Sequence, residues 1–222
     1  MGMSETLTPT IEDYLGLIYL MEREGQPAIG ARLAERLGVS RPTVSATLRR
    51  MERAGLVSWT EHKKVTLTPA GRQAAQSLVR RHMLAEWLLR EILGLPWHHV
   101  HEEAGRLEHY ISPEAAERLE TFFEQPEACP HGNPMPGTEP ARLPALDEIG
   151  EGETVTIARI VEEAEEQHDL MAFLEENGLL PGTNVQVILR QPYNATVLVQ
   201  VGDRQLALGM AVARHIRVRC PR

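Results

Sequence analysis

The sequence predicts a mainly α-helical protein with a small β module at its C-terminal end. Three observations predict this fold class. Apolar residues recur at helical spacing through residues 8–123, a proline-rich stretch follows at 126–147, and from residue 154 short β-prone runs alternate with tight turns. The 222 residues, of which 42% are apolar, are enough for two compact domains or for one domain and a small module.

The first 72 residues have the element order of a winged helix-turn-helix. We expect three helices followed by a hairpin that forms the wing, at residues 8–24, 29–37, 41–54 and 56–68. Gly38 ends the second helix, and Ser40 is a suitable N-cap for the third. Pro42 lies close to the first position of that helix, where its missing N–H group does no harm.

The charge distribution is compatible with DNA binding although the net charge is -8. Residues 1–72 carry ten Lys/Arg and eight Asp/Glu, a balance of +2, and the remaining 150 carry thirteen and twenty-three, a balance of -10. A locally basic head on an acidic body is compatible with phosphate binding by the head.

The third helix is the predicted DNA-reading element. Its short polar side chains can reach base edges in the major groove, and the basic residues on it and on the wing can contact phosphates. Two other interpretations are a helical bundle with a solvated basic face and a winged helix that binds a protein. The expected DNA-contacting residues are Arg41, Pro42, Thr43, Ser45, Ala46, Arg49, Arg50, Lys63 and Lys64.

The rest of the chain divides into helices, a linker and strands. Three further helices are expected at residues 69–93, 98–110 and 113–123. The proline-rich stretch predicts an extended, semi-rigid linker. Short strands and one short helix over the last 70 or so residues suggest a small barrel. The strands are expected at residues 154–160, 184–189, 195–201, 204–208 and 216–219, and the helix at 169–177.

Several segments together resemble the diphtheria toxin repressor (DtxR/MntR) family of iron- and manganese-dependent transcriptional regulators. They are TIEDYLGLIY at 10–19, AERLGVSRPTVSATLRRMERAGLV at 34–57, LTPAGR at 67–72, RRHMLAEWLL at 80–89, VHEEAGRLEHYIS at 100–112 and GNPMPG at 132–137. The resemblance implies four parts: a DNA-binding domain at 1–72, a helical metal-binding and dimerisation domain at 73–125, the linker at 126–150, and an SH3-like (FeoA-like) domain at 151–222.

Histidines and carboxylates at helical spacing are candidate metal ligands. His82 and Glu86 are four residues apart, and His101 lies seven residues before Glu108, so each pair shares a helix face. His109 follows Glu108 directly. Imidazole and carboxylate ligands without a thiolate suit Mn²⁺ or Fe²⁺ better than a structural zinc ion.

The resemblance assigns these residues to two metal sites. The first takes His82, Glu86 and His101. The second takes the residues Asp13, Glu108 and His109. The resemblance associates Asp at the first-helix position with manganese, and the hard oxygen ligand of Asp13 favours Mn²⁺ on physical grounds.

The second site departs from the family pattern at two positions. Gly105 stands where the family has Cys or Glu, and Gly16 stands where manganese-dependent members have a further Glu. Three alternatives follow: a weak site, a site rebuilt by a neighbour such as Glu102 or Glu103, or a site completed by water. Longer members of the family also lend ligands from the SH3-like domain, which makes Gln167 or His168 a candidate. The alternative for that stretch is a solvated acidic loop.

The resemblance implies a metal-dependent, homodimeric repressor that binds an operator in double-stranded DNA and controls metal-homeostasis genes. We expect a cytoplasmic protein with no membrane association, because neither a signal sequence nor a long apolar run is present. An enzyme is not expected, since the sequence has no HExxH motif, nucleophile elbow or Gly-rich phosphate loop. The main alternative is a metal-independent, MarR-like winged-helix regulator with an organic effector; a metal-buffering protein is a further one.

Overall fold

The computed structural model describes residues 7–60 and 64–220. Its N-terminal part is the predicted winged helix-turn-helix. Ser40 caps the third helix by accepting a hydrogen bond from the backbone N–H of Thr43 at 3.3 Å. The elements are α1 (Pro9–Arg23), α2 (Gly30–Arg36), α3 (Arg41–Arg53), β1 (Val57–Trp59) and β2 (Val65–Leu67), with the two strands antiparallel.

The helical part that follows begins with α4 (Pro69–Trp87), which continues into a π-helical turn at Leu88–Ile92. A 3₁₀ turn then leads into α5, a second 3₁₀ turn ends it, and α6 follows. These elements are Trp97–His99, α5 (Val100–Leu107), Glu108–Tyr110 and α6 (Pro113–Phe122). The structure thus splits the helix predicted at 98–110 into an α-helix with tighter turns at both ends.

One apolar core joins the head to the helical part. Leu15 and Ile18 of α1, Leu48 of α3 and Leu84 of α4 are all fully buried in it. Gly16 lets α1 approach α4 closely, since a Cβ atom there would lie 3.1 Å from the Leu78 side chain. The predicted DNA-reading helix and α4 therefore contribute to the same core.

The linker prediction was wrong at both ends. Near its end, Leu146 and Ile149 are buried in the core of the C-terminal sheet, and Leu146–Glu148 form a 3₁₀ turn. The segment from Pro126 to Gly137 folds against the helices, because two indoles donate hydrogen bonds to its backbone: Trp87 Nε1 to Ala128 O at 2.8 Å and Trp97 Nε1 to Pro130 O at 3.0 Å. A β-bridge between Ala128 and Pro134 closes the turn. We call residues 126–137 the folded segment.

The C-terminal module is a five-stranded antiparallel sheet in the order β6-β5-β4-β3-β7. Register shifts in β3–β7 and β4–β5 bend the strands around a core that includes Ile157, Val187 and Val199. All five predicted strands are present, but the two shortest helices escaped sequence analysis. The elements are β3 (Thr154–Ile160), α7 (Glu162–Glu165), α8 (His168–Glu176), β4 (Asn184–Gln191), β5 (Thr196–Val201), β6 (Arg204–Gly209), α9 (Met210–Ala213) and β7 (Ile216–Arg219).

Within residues 7–60 and 64–220, every helix is too short or too polar to cross a lipid bilayer.

The tight contact at Gly71 predicts a large effect of a single methyl group. A Cβ atom at Gly71 would lie 1.9 Å from the carbonyl oxygen of Leu56, so Gly71→Ala must displace the wing from α4. We expect a loss of about 3 kcal/mol in the free energy of unfolding, measured by urea denaturation with a chelator present. Gly105→Ala is the matched control, because a Cβ atom there meets nothing within 4 Å. Equal stability of the two variants would contradict the contact.

Candidate metal centre

The first candidate cluster joins three parts of the fold around one carboxylate. Glu86 of α4 has a side chain with 0% exposure, and Oε1 of Glu86 lies 3.2 Å from His82 Nε2, 3.2 Å from His101 Nδ1 and 3.3 Å from His131 Nδ1. Glu165 of α7 approaches from the C-terminal module, with its Oε2 2.9 Å from His101 Nδ1. We call these five residues cluster A.

Contacts between histidines and carboxylates shift the pKa values of His101, His82 and Glu86 toward their charged forms. Burial lowers the pKa of His101, but its contacts with Glu165 and Glu86 outweigh this and raise the pKa to about 10. Burial likewise lowers the pKa of His82, and hydrogen bonds to Glu108 and Glu86 raise it well above its usual value. The pKa of Glu86 falls well below its usual range, because the nearby histidines overcome its burial.

The donor set of cluster A fits a divalent cation. Among the buried polar atoms that lack a hydrogen-bond partner in the described part of the chain are Glu86 Oε2 of cluster A and Glu162 Oε1 beside it. Leaving such atoms unpaired is costly. In addition, two ring nitrogens, His82 Nε2 and His101 Nδ1, face each other at 3.1 Å. A shared cation would satisfy these atoms together.

Two further residues border cluster A. Burial and the neighbouring charge of Glu165 raise the pKa of Glu162 to about 8. The Cys129 thiol, in the folded segment, can share an ion with Glu86 and His131. Burial raises the pKa of that thiol well above its usual value, so it is protonated at neutral pH in the absence of a metal.

The second candidate cluster, cluster B, ties α1 to the end of α5. It consists of Asp13, Glu108 and His109: His109 Nε2 lies 3.0 Å from Asp13 Oδ1 and 3.5 Å from Glu108 Oε1. Glu12 accepts a hydrogen bond from His109 Nδ1 at 2.7 Å, which leaves Nε2 free to face Asp13. Burial raises the pKa of Asp13.

A hydrogen bond connects the two clusters. Glu108 Oε2 lies 2.7 Å from His82 Nδ1, so a carboxylate of cluster B contacts an imidazole ring of cluster A. A cavity of about 300 Å³ lies beside them and is lined by residues that include Asp13, Gly105 and Glu108. The missing side chain at Gly105 is part of the reason why this space is open.

The sequence-predicted ligands have different positions in the structure. The triplets His82, Glu86, His101 and Asp13, Glu108, His109 each come together. Glu102 and Glu103 do not join them, because both carboxylates pair with Arg106 on the exposed face of α5. Gln167 is exposed beside α2, and His168 packs against His98 and His99. The acidic stretch that contains Gln167 and His168 does contribute to cluster A, but through Glu165.

Helical spacing does not reveal His131 and Glu165, the two members of cluster A that lie outside the helices of the head and helical part. His131, like the bordering Cys129, falls in the supposed linker, where the only signal was a Cys-Pro-His sequence next to the GNPMPG motif. Glu165 lies in an acidic run that is typical of a solvated surface. Its burial depends on how the C-terminal module packs.

The segment that supplies Glu165 also contacts the head. Arg36 of α2 pairs with Glu166, and Gln26 donates a hydrogen bond to Glu163 at 2.9 Å. Close by, Arg159 of β3 pairs with Glu24 at 2.5 Å and 3.2 Å. We call residues 162–166 the bridging segment, since one side contacts cluster A and the other the DNA-binding head.

The predicted DNA-reading face is open to solvent. Seven of the predicted residues on α3, together with Lys64 on the wing, are exposed, whereas Val44 and Leu48 on the opposite side of α3 are buried. Lys63 lies outside the described residues. The exposed residues of α3 are Arg41, Pro42, Thr43, Ser45, Ala46, Arg49 and Arg50.

Three family models match consecutive parts of the chain. They are the iron-dependent repressor N-terminal DNA-binding domain at residues 6–65, the iron-dependent repressor metal-binding and dimerisation domain at 68–137, and the FeoA domain at 145–220. The second match includes the folded segment.

Relatives match over nearly the full length. The iron-dependent repressor IdeR of Mycobacterium leprae is 36% identical, over 96% of this chain and 97% of its own. A solved manganese-dependent transcriptional repressor in complex with manganese is 31% identical, with a TM-score of 0.86 over 95% of this chain and 100% of its own. IdeR of T. acidophilum is 30% identical, with a TM-score of 0.77 over the whole of both chains. The chain therefore belongs to the iron-dependent repressor family, together with these proteins.

Proposed function

We propose that this protein is a transcriptional repressor that binds operator DNA as a homodimer when Mn²⁺ or Fe²⁺ occupies clusters A and B. The observation that carries the proposal is the position of Glu165. A carboxylate of the C-terminal module faces His101 of the helical part at 2.9 Å, and the adjacent Glu166 holds Arg36 of the DNA-binding head. Two adjacent residues, Glu165 and Glu166, therefore connect the proposed metal site to the DNA-binding head.

The proposed ligands of the first site are His82, Glu86, His101, His131 and Glu165, with Cys129 and Glu162 beside them. Those of the second site are Asp13, Glu108 and His109. A bound divalent cation supplies the positive charge that neutralises the buried carboxylates. The chain does the rest: Glu86 positions three histidines, Glu12 orients His109, and the bridging segment holds α2.

The protein's own contacts explain why metal occupancy would strengthen DNA binding. In a two-fold dimer, both recognition helices must meet major grooves about one helical turn of DNA apart. Head movement relative to the helical part reduces the population with correct spacing. Ordering the bridging segment restricts that movement, so less conformational entropy is lost when DNA binds. Metal and DNA therefore bind with positive coupling.

The choice of metal follows from the ligand chemistry. Carboxylates and imidazoles suit both Mn²⁺ and Fe²⁺, and relatives named for each metal occur. The carboxylate of Asp13 in cluster B favours Mn²⁺. The thiol of Cys129 is protonated before metal binds, so coordination through its sulfur would release a proton.

The proposed dimer surface is an apolar patch at the end of α4 and α6. Ile92 is 52% exposed, Leu93 60% and Phe122 65%, and Trp87 and Phe123 lie beside them. Large exposed apolar patches mark interaction surfaces. The matched dimerisation-domain model spans these residues.

Because the proposed target of the protein is operator DNA, we place the protein in the cytoplasm and assign it no catalytic role.

DNA binding should depend on metal through His82. With a DNA fragment from a manganese-transport promoter, we expect Mn²⁺ to tighten binding by about tenfold or more relative to a chelator. His82→Ala should abolish that gain, because it removes the contacts with Glu86 and Glu108. His215→Ala is the matched control, since His215 lies outside every candidate cluster. Equally tight binding with chelator would instead favour an organic effector.

Metal binding should release protons at neutral pH. In the metal-free protein the pKa of His101, raised to about 10, keeps this ring protonated at pH 7, and a ligand ring must lose its proton. The apparent affinity for the metal should therefore increase as the pH is raised through 7. Calorimetry of Mn²⁺ binding at pH 7, in two buffers of different ionisation enthalpy, should show at least one proton released per chain. Identical heats in both buffers would contradict this.

An added carboxylate at position 105 should strengthen cluster B. The site at Gly105 has room for a side chain and borders the cavity next to Asp13 and Glu108. We expect Gly105→Glu to tighten Mn²⁺ binding at cluster B by about tenfold, because it adds a hard oxygen ligand. Electron paramagnetic resonance titration of free Mn²⁺ measures this, with Gly105→Ala as the control. Unchanged affinity would show that position 105 does not face the ion.

A further inference from the structure

Three histidines meet outside clusters A and B, at the contact between the helical part and the C-terminal module. His98 and His99 lie in the 3₁₀ turn before α5, and His168 is the first residue of α8. Their ring centroids are 4.3 Å, 4.6 Å and 5.1 Å apart. One nitrogen from each ring can be chosen such that all three lie within 4.8 Å of one another. Neither the family resemblance nor the proposed function uses these three together.

A half-buried acidic contact orients one of these rings. Glu175 of α8 accepts hydrogen bonds from the backbone N–H groups of Trp97 at 3.0 Å and His98 at 3.2 Å, and it also pairs with Nδ1 of the His98 ring. The proton on Nδ1 is thereby directed at the carboxylate, which leaves Nε2 as the nitrogen available to a ligand. Metal-binding histidines in proteins are commonly held by a carboxylate in this way.

Packing alone gives a weaker explanation for the three rings. Neighbouring imidazoles at a domain contact can stack, but His168 is exposed and gains little from burial. A cation would explain both the convergence of three ring nitrogens and the carboxylate behind His98. The exposed side at His168 leaves room for water as a further ligand.

The donor set selects the class of metal. Three neutral imidazoles without a carboxylate ligand suit the late first-row divalent ions, whereas Mn²⁺ prefers oxygen. Four-coordinate Zn²⁺ with three protein ligands and one open position is a common arrangement. We propose that His98, His99 and His168 form a third metal site, which binds Zn²⁺ and ties α8 to the turn before α5.

The test is a zinc count on the full-length protein. Chelator-treated protein is dialysed against a buffer of fixed free Zn²⁺ concentration, and bound zinc per chain is measured by elemental analysis. We expect His168→Gln to bind one zinc ion fewer per chain than the unaltered protein. His215→Gln, the matched control, should bind the same number as the unaltered protein. An equal count in the His168→Gln variant, or an equal loss in the control, overturns the proposal.

A second variant tests the orienting role of Glu175. Glu175→Gln keeps the side-chain shape and removes the charge behind His98, and we expect zinc affinity at this site to fall by about 10- to 100-fold. Unchanged affinity in this variant would overturn the orienting role. Co²⁺ gives a second readout: the visible absorption of a four-coordinate ion should appear in the unaltered protein and disappear in His168→Gln, and its persistence would also overturn the proposal.

This proposal and the proposed function fail separately. Loss of metal-dependent DNA binding through His82→Ala concerns clusters A and B, whereas the zinc count of His168→Gln concerns a residue that contacts neither cluster.

Discussion

The buried carboxylate of Glu86 is the constraint on which the rest of the structure depends. A fully buried charge is tolerated only where it is paired. Glu86 meets this condition by contacting His82, His101 and His131, which come from α4, α5 and the folded segment. The charge thus specifies where three separate stretches of chain must lie, and Glu165 adds a fourth. The site and the tertiary structure are stabilised by the same contacts.

The contacts between the bridging segment and the head are individually weak, which allows metal binding to shift the position of the head. Arg36–Glu166 and Gln26–Glu163 are polar and exposed, and such pairs contribute about 1 kcal/mol or less each. The better-buried Arg159–Glu24 pair adds to them. Coupling between two binding sites typically amounts to about 1–3 kcal/mol, which a few such contacts can supply. Contacts that were much stronger would hold the head in place whether or not metal was present.

Periodicity predicted the parts of the fold whose burial is decided locally. The helices of the head, α4, α6 and all five strands of the C-terminal module were found because each has one regularly spaced apolar face. The metal triplets with helical spacing came from the same signal. What could not be predicted was set by distant contacts. Two indoles fold the proline-rich segment and bring in His131, and packing of the module buries Glu165 inside an acidic run.

The π-helical turn at Leu88–Ile92 makes this stretch tolerant of a change in chain length. Its wider hydrogen bonding, with Leu93 N–H donating to Leu88 O at 3.2 Å, accommodates one more residue than an α-helical turn. Each residue of an α-helix turns the following side chains by about 100°. One extra residue in a regular helix would therefore turn Ile92 and Leu93 away from Phe122, but the π-helical turn takes up such a residue with little net rotation. In evolution, this stretch should therefore accept the gain or loss of one residue more readily than the regular helix before it.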